Sequence, residues 1–255
     1  MPMTAERQMR IGLALSALIF AAWLSLHVLS VFFLELEGPG LAAAPLIVLA
    51  ICWLNVGLFI VAHDCMHGSL APRRPGINRW IGRIALAFYA GFSFDRLLPK
   101  HFDHHRHAGT GKDPDFSEAH PSAFWPWYLA FLRQYFGVRE FLVLTGLVAV
   151  YVLLLGASYP NLLLFWALPA ILSSIQLFLF GTYLPHRAEE RPFGDRHRAR
   201  SNDYGWLASL FSCFHFGYHH EHHLAPHVPW WRLPAERARM RTLQSAAPRE
   251  YRPRA

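Results

Sequence analysis

Four stretches of this 255-residue chain contain no Asp, Glu, Lys or Arg and approach or reach the length of a bilayer crossing: Ile11 to Phe33, Leu41 to Ala62, Phe141 to Ala157 and Leu162 to Leu184. About 20 apolar helical residues traverse the hydrocarbon core, where a backbone must satisfy its own hydrogen bonds. A helix does this and an open sheet does not. The expected fold class is therefore an all-α integral membrane protein of about four transmembrane helices, organised as one domain over residues 1–255. Composition agrees, with 53% apolar and only 16% charged residues, a balance rare in a soluble domain of this length.

Positive charge sets the expected orientation. Arg7 and Arg10 precede the first run, a second basic block lies between Arg73 and Arg139, and a third runs from Arg187 to Arg254. The connectors 34–40 and 158–161 have no Lys or Arg. Under the positive-inside rule both termini and the central segment are cytoplasmic. The first run is longer than the apolar core of a usual secretory leader, and no small-x-small cleavage site follows it directly, so it is expected to be a retained span. The net charge of +7 suits anionic lipid headgroups and requires no nucleic-acid partner. Cys52, Cys65 and Cys213 are scattered and odd in number, which argues against a disulfide framework.

The central segment is more than a loop. Arg79 to Leu98 is apolar but broken by charges and Gly91, as an interfacial or re-entrant helix would be. Pro99 is expected to open the next helix, residues 109–116 (GTGKDPDF) to turn, and the aromatic stretch 121–135 to settle at headgroup depth. The end from Pro234 to Ala255 is expected to be a basic, partly disordered tail.

Eight histidines fall in three short clusters just beyond apolar runs: His63-x3-His67, His101-x2-His104-His105 and His219-x2-His222-His223. Residues three and four apart share a helix face, so each cluster can aim its imidazoles at one point. With four spans, all three lie on the cytoplasmic side, forming a histidine-rich cap. Eight nitrogens exceed the four ligands usual for one zinc, and two metal ions are the economical reading. Any one cluster alone has a plainer explanation: a solvated pair, a basic patch that includes His107, or a chance His-rich tract. Three such accidents on one side of the membrane are harder to accept. Within the clusters, Asp64, Asp103 and Glu221 could accept ligand N–H groups or be ordinary interfacial charges. His215 and His220 could support the site, His215 from one turn before His219 and His220 from about a quarter turn off the ligand face. His27, inside the first span, is expected to bond between helices.

Other chemistries lack their motifs. After His220 and Glu221, the position that a zinc protease would fill with His holds Leu224. No nucleophile elbow, phosphate loop or dinucleotide fingerprint is present. A metal transporter would place its ligands or broken helices near the bilayer midplane, whereas these histidines lie outside uncharged spans.

The motifs HDCMH, HFDHH and HHEHH resemble the three histidine boxes of the membrane fatty-acid desaturase and hydroxylase superfamily. Within it, HDCMHGSLAP, YAGFSFDRL, DPDF, FGTYLPHR and CFHFGYHHEHHLAPHVPWWRLP are similar, in order and spacing, to the bacterial β-carotene ketolase family. The resemblance covers the chain from about the first box to Pro234. It implies two iron ions (Fe2+, replaceable by zinc in purified protein) and O2 as co-substrate. The implied ligands are His63, His67, His101, His104, His105, His219, His222 and His223, together with His186 at the cytoplasmic end of the fourth span. One helical turn before that His, acyl desaturases carry Asn, and this chain has Thr182.

The activity so implied is oxidation of C4 of a β-ionone ring to a ketone by two successive hydroxylations. A carotenoid would enter from the bilayer lipids, and electrons would come from a donor such as ferredoxin with its reductase. The location implied is the bacterial inner membrane. A carotenoid ring hydroxylase, an acyl-lipid desaturase or an alkane hydroxylase would share the metal site and differ in the substrate channel.

Overall fold

The structure is a computed structural model that describes residues 3–190 and 192–246. Among these it is helical, with no strand. In chain order the helices are α1 (Ala5–Phe32), α2 (Gly38–Met66), α3 (Pro75–Ala90), α4 (Phe94–His107) and α5 (Phe124–Tyr135). They continue with α6 (Val138–Leu154), α7 (Tyr159–His186), α8 (Trp206–Cys213), α9 (His219–Leu224) and α10 (Leu233–Ala246). Helices α1, α2 and α7 are each long and apolar enough to cross a membrane. The third apolar run differs from its expectation as a lone span. It lies in α6, which qualifies only when paired with α5 as one broken span. The break has a local cause, because Gly137 is extended and its N–H is taken by Glu140 Oε2 at 3.1 Å, which starts α6 afresh.

Two compact units divide the chain. The first runs to Phe94 and resumes over Phe136–Ile175. Large apolar side chains left exposed along its helices, among them Leu18, Leu29, Leu46, Leu49 and Leu153, form the surface a lipid-facing helix needs. Several polar side chains inside it are paired across helices, since an unpaired group in hydrocarbon costs several kcal/mol, on the order of a lost hydrogen bond or more. Trp23 Nε1 donates to Asn55 Oδ1 at 2.6 Å, His27 Nε2 lies 3.0 Å from the Tyr151 hydroxyl, and Asn161 Nδ2 donates to the carbonyls of Ser30 and Leu34 at 2.9 and 2.8 Å. Gly12 permits the closest approach, because a Cβ there would stand 2.7 Å from the Leu70 carbonyl oxygen. In α3 the buried residues Asn78, Gly82, Ala85, Leu86 and Tyr89 recur at helical period, and Gly91 closes the helix at φ +68°.

The second unit takes Asp95–Tyr135 and the chain from Gln176 onward. Helix α4 begins at Phe94, ahead of the expected start at Pro99, and holds Pro99 inside it. The aromatic helix α5 divides its rings between two surroundings. Trp125 faces outward, whereas Trp127 and Tyr128 are buried and pack their rings on Phe178. The end expected to be partly disordered is helical over Leu233–Ala246. Its anchor is Arg237, which donates to Glu221 at 2.7 Å and Asp203 at 2.6 Å, beside a buried Leu233. Residues 247–255 lie outside the described part of the chain. Between α8 and α9, Phe214 and His215 both take positive φ (+47° and +63°), a costly conformation for non-glycine residues that turns the chain into the third histidine cluster.

Candidate metal centre

Three elements of the second unit carry histidines inward. The 3–4 spacing on α4 places His101, His104 and His105 along one side, α9 does the same for His219, His222 and His223, and α7 ends at His186. One ring nitrogen from each of His104, His186, His219 and His223 lies within 4.8 Å of the others, and all four residues are buried. A neighbouring set, His101, His105 and His222, converges as tightly, with His222 Nε2 3.1 Å from His105 Nε2. In the first unit, His63 and His67 sit one turn apart at the end of α2 with ring centroids 4.8 Å apart.

The hydrogen bonds decide which nitrogens are free to bind a cation. His104 Nδ1 stands 3.0 and 3.1 Å from the two oxygens of Asp113. An ionised carboxylate can only accept, so Nδ1 carries a proton and Nε2 is the nitrogen that offers a lone pair when the ring is neutral. His186 Nδ1 donates to the carbonyl oxygen of Arg198 at 2.7 Å, and its buried Nε2 has no hydrogen-bond partner among the described residues. The lone pair of His104 Nε2 then faces His223 Nε2 at 3.2 Å, which in turn stands 3.0 Å from His219 Nε2. One imidazole proton cannot serve both of its neighbours and also the His186 nitrogen. A divalent cation bound by these lone pairs satisfies all four, and three or four neutral imidazoles suit Fe, Zn, Cu or Ni.

The Asp113 carboxylate is itself held by the backbone N–H groups of Gly109 and Asp115, both at 2.9 Å. Gly109 has φ +65°, and a Cβ there would meet the Arg198 side chain at 3.2 Å. Burial alone would push His104 down, but the Asp113 and Asp115 carboxylates and the hydrogen bond from Nδ1 outweigh it, and the ring stays above its ordinary value. The same negative field favours any cation at Nε2. Burial raises Asp115 to about 6, against the partly offsetting pull of His104, and its carboxylate accepts the Tyr135 hydroxyl. Burial first, then the neighbouring imidazoles, holds His223 well below 6.5. That keeps it neutral, as a ligand must be.

The remaining candidates separate by what they touch. Asp64 is buried with Oδ1 3.9 Å from His63 Nδ1. Asp103 turns to the surface and pairs with Arg106 at 3.3 Å. Glu221 is buried but accepts from Arg237 and Ser201. His220 reaches outward to Asp195 at 2.7 Å. His215 is buried in a stack with Tyr218 and Trp230 and belongs to neither convergent group. The residues that sequence reasoning did not single out are Asp113, Asp115 and Arg198. The signal for the aspartates was the DPDF motif beside a histidine box in a turn, where carboxylates can fold back onto the helix just left. Arg198 acts through its carbonyl, which no motif encodes.

A sequence profile of the fatty acid desaturase family matches residues 39–145 and 133–255. The chain belongs to the fatty acid desaturase family. Its relatives there include a beta-carotene ketolase of Paracoccus sp. (strain PC1), 51% identical over 89% of this chain and 92% of that protein. A zeaxanthin 4-ketolase of Chlamydomonas reinhardtii is 35% identical over 88% of this chain and 52% of that protein. More distant in the family is an sn-1 oleoyl-lipid 12-desaturase of Anabaena variabilis, 26% identical over 80% of this chain and 72% of that protein.

Proposed function

We propose that this chain is an O2-dependent di-iron oxygenase that oxidises C4 of the β-ionone ring of β-carotene and related carotenoids to a ketone. The observation that carries this reading is a buried set of facing imidazole nitrogens, His104, His186, His219 and His223, in a chain 51% identical to a protein named beta-carotene ketolase. These four residues are assigned to one iron. The second iron is assigned to His101, His105 and His222 with His63 and His67, following the family's three-box pattern. Zinc fits the same nitrogens but has no redox chemistry.

When bound, the iron pair supplies activation of O2 and the oxidising power to break an allylic C–H bond. The chain's own residues fix where this happens. Asp113 and the Arg198 carbonyl set the tautomers of His104 and His186, so both present Nε2 without rearrangement. Burial of the four rings keeps bulk water from the reacting position. Each hydroxylation takes one O2, two electrons and two protons, leaving one oxygen on C4 and releasing one water. A second round gives the geminal diol, and loss of water leaves the ketone. The chain has no flavin, haem or iron–sulfur motif, so the electrons are assigned to ferredoxin and its reductase. The substrate is assigned to the lipid phase of the bacterial inner membrane, with both termini and the metal centre on the cytoplasmic side.

The lipid desaturases are less similar than the ketolases, at 26% against 51% identity, which favours a carotenoid over an acyl chain. Pigment analysis of a β-carotene-producing bacterial host that expresses the chain tests the proposal. Products that gain one oxygen and lose two hydrogens per ring are expected. Hydroxylated carotenoid, or unchanged β-carotene with iron-loaded protein, would overturn it.

A further inference from the structure

The segment from Gly194 to Arg200 lies beside the His104–His186–His219–His223 group within the second unit and meets it through Arg198 and His197. Asp195 takes His220 at 2.7 Å, the ring of His197 lies 6.1 Å from that of His223, and the carbonyl of Arg198 accepts the Nδ1–H of His186. Arg198 adopts φ +43° to do so, a left-handed conformation that costs energy in a non-glycine residue and persists where the surroundings demand it. Its guanidinium reaches back to the Gly109 carbonyl at 2.8 Å, joining this segment to the loop whose N–H groups hold Asp113. The backbone of one exposed residue is thus hydrogen-bonded directly to a buried imidazole of the metal centre.

The same segment carries Arg196, Arg198 and Arg200 against one acidic side chain, Asp195. Arg196 and Arg198 are exposed, and Lys112, three residues beyond Gly109, is exposed as well. Among the described residues none of the three is ion-paired, whereas the nearby Asp195 is engaged by His220 and Glu189 by Arg187. An oxygenase of the kind proposed above takes its electrons from outside the chain, and Arg198 is an exposed residue one hydrogen bond from a buried imidazole of the group.

Resting on that reading, we infer that the 194–200 segment with Lys112 is the docking surface for a small, acidic, one-electron carrier protein, and that Arg198 is the point of entry. Two reduced carriers each give up one electron for every hydroxyl formed and leave oxidised. The cations speed encounter by complementary charge, and the Arg198 carbonyl–His186 hydrogen bond bridges the surface to the centre.

The test uses the full, metal-loaded protein in nanodiscs of neutral phosphatidylcholine, with oxidised plant-type [2Fe–2S] ferredoxin as the binding probe. Arg196→Glu combined with Lys112→Glu avoids Arg198 and its structural bonds. The Kd for ferredoxin is expected to rise roughly tenfold at low salt, with the difference shrinking as salt is added. Metal content and ketone formation driven by photoreduced 5-deazariboflavin, a small uncharged reductant, are expected to stay unchanged. An unchanged Kd would overturn the inference, as would an equal loss with deazariboflavin. Lost retention on anionic vesicles with Kd intact would make the patch a lipid site and also overturn it. If wild-type protein binds ferredoxin as described but makes no ketone with either reductant, the activity reading fails while the docking surface stands.

Discussion

His27 in the first unit and the His104 group in the second are all buried, and they meet the cost of burial in opposite ways. In the first unit, His27 lies in a stack with Trp23 at 4.7 Å, and its Nε2 meets the Tyr151 hydroxyl. Its neighbours are aromatic rings and a neutral partner, the arrangement of a helix-to-helix tie. In the second unit, His104, His186, His219 and His223 turn their nitrogens toward one another, with Asp113 and a carbonyl fixing the outer nitrogen of two of them. Burial and residue type are the same in both places. What separates a structural histidine from a metal ligand is whether the inner nitrogens face a proton donor or other lone pairs.

The largest effect expected from this contrast is that of His104→Ala. It removes one of four converging nitrogens and leaves the Asp113 carboxylate buried without its imidazole, so bound metal and ketone formation should both be lost. Metal analysis by mass spectrometry alongside pigment analysis checks this. His27→Phe should leave bound metal unchanged, and a loss of metal there would break the comparison outright.

Asp113→Asn keeps the volume but removes the charge that holds the Nδ1–H tautomer. A fall of about 10- to 100-fold in metal affinity or turnover is expected, measured by competition with a chelator. Equal loss of thermal stability and metal affinity would reduce Asp113 to a fold residue.

Acid should act in opposite directions on two members of the second group, His223 and His104, in metal-free protein. His223 is held well below 6.5 in the fold by burial and by its neighbours, whereas in the unfolded chain it titrates at about 6.5. The unfolded state therefore binds the extra proton first, and the stability owed to neutral His223 is present above about pH 6.5 and is lost as pH falls below it. His104 has the opposite sign, since its raised value favours the folded state at low pH and that contribution is lost as pH rises through the folded value. Thermal unfolding of apo protein from pH 8 to pH 5, in wild type and in His223→Gln, should show the acid loss in the wild type reduced in the variant.

The smallest effect belongs to the tie itself. His27→Phe should cost on the order of 1 kcal/mol, the usual scale of a hydrogen bond between membrane helices, read from reversible unfolding in detergent. A much larger loss would mean that the polar core of the spans carries more of the fold than the pairwise contact suggests.

Membrane character and the histidine-bearing segments were legible in the chain because both depend on local pattern. Uncharged apolar runs specify helices in lipid, and a 3–4 spacing places His101, His104 and His105, or His219, His222 and His223, on one side of a helix whatever surrounds it. The reach of α7 to His186 follows from the same helical continuity. The break at Gly137, which leaves α6 short of a span, depended on a single glycine with a carboxylate three residues later and was visible only as a weak signal. The helix at Leu233–Ala246 was hidden because its sequence is basic and its support is tertiary, through Arg237 to Glu221 and Asp203.

Within the centre, the identity of the imidazoles was written in the sequence, whereas their tautomers were not. Asp113 lies nine positions after His104 and is brought back by a turn, and the carbonyl that holds His186 belongs to Arg198 on a separate loop. Local periodicity can place a side chain on a face, but the choice of which nitrogen carries the proton depends on acceptors supplied by other segments, and only the folded chain brings those within 3 Å.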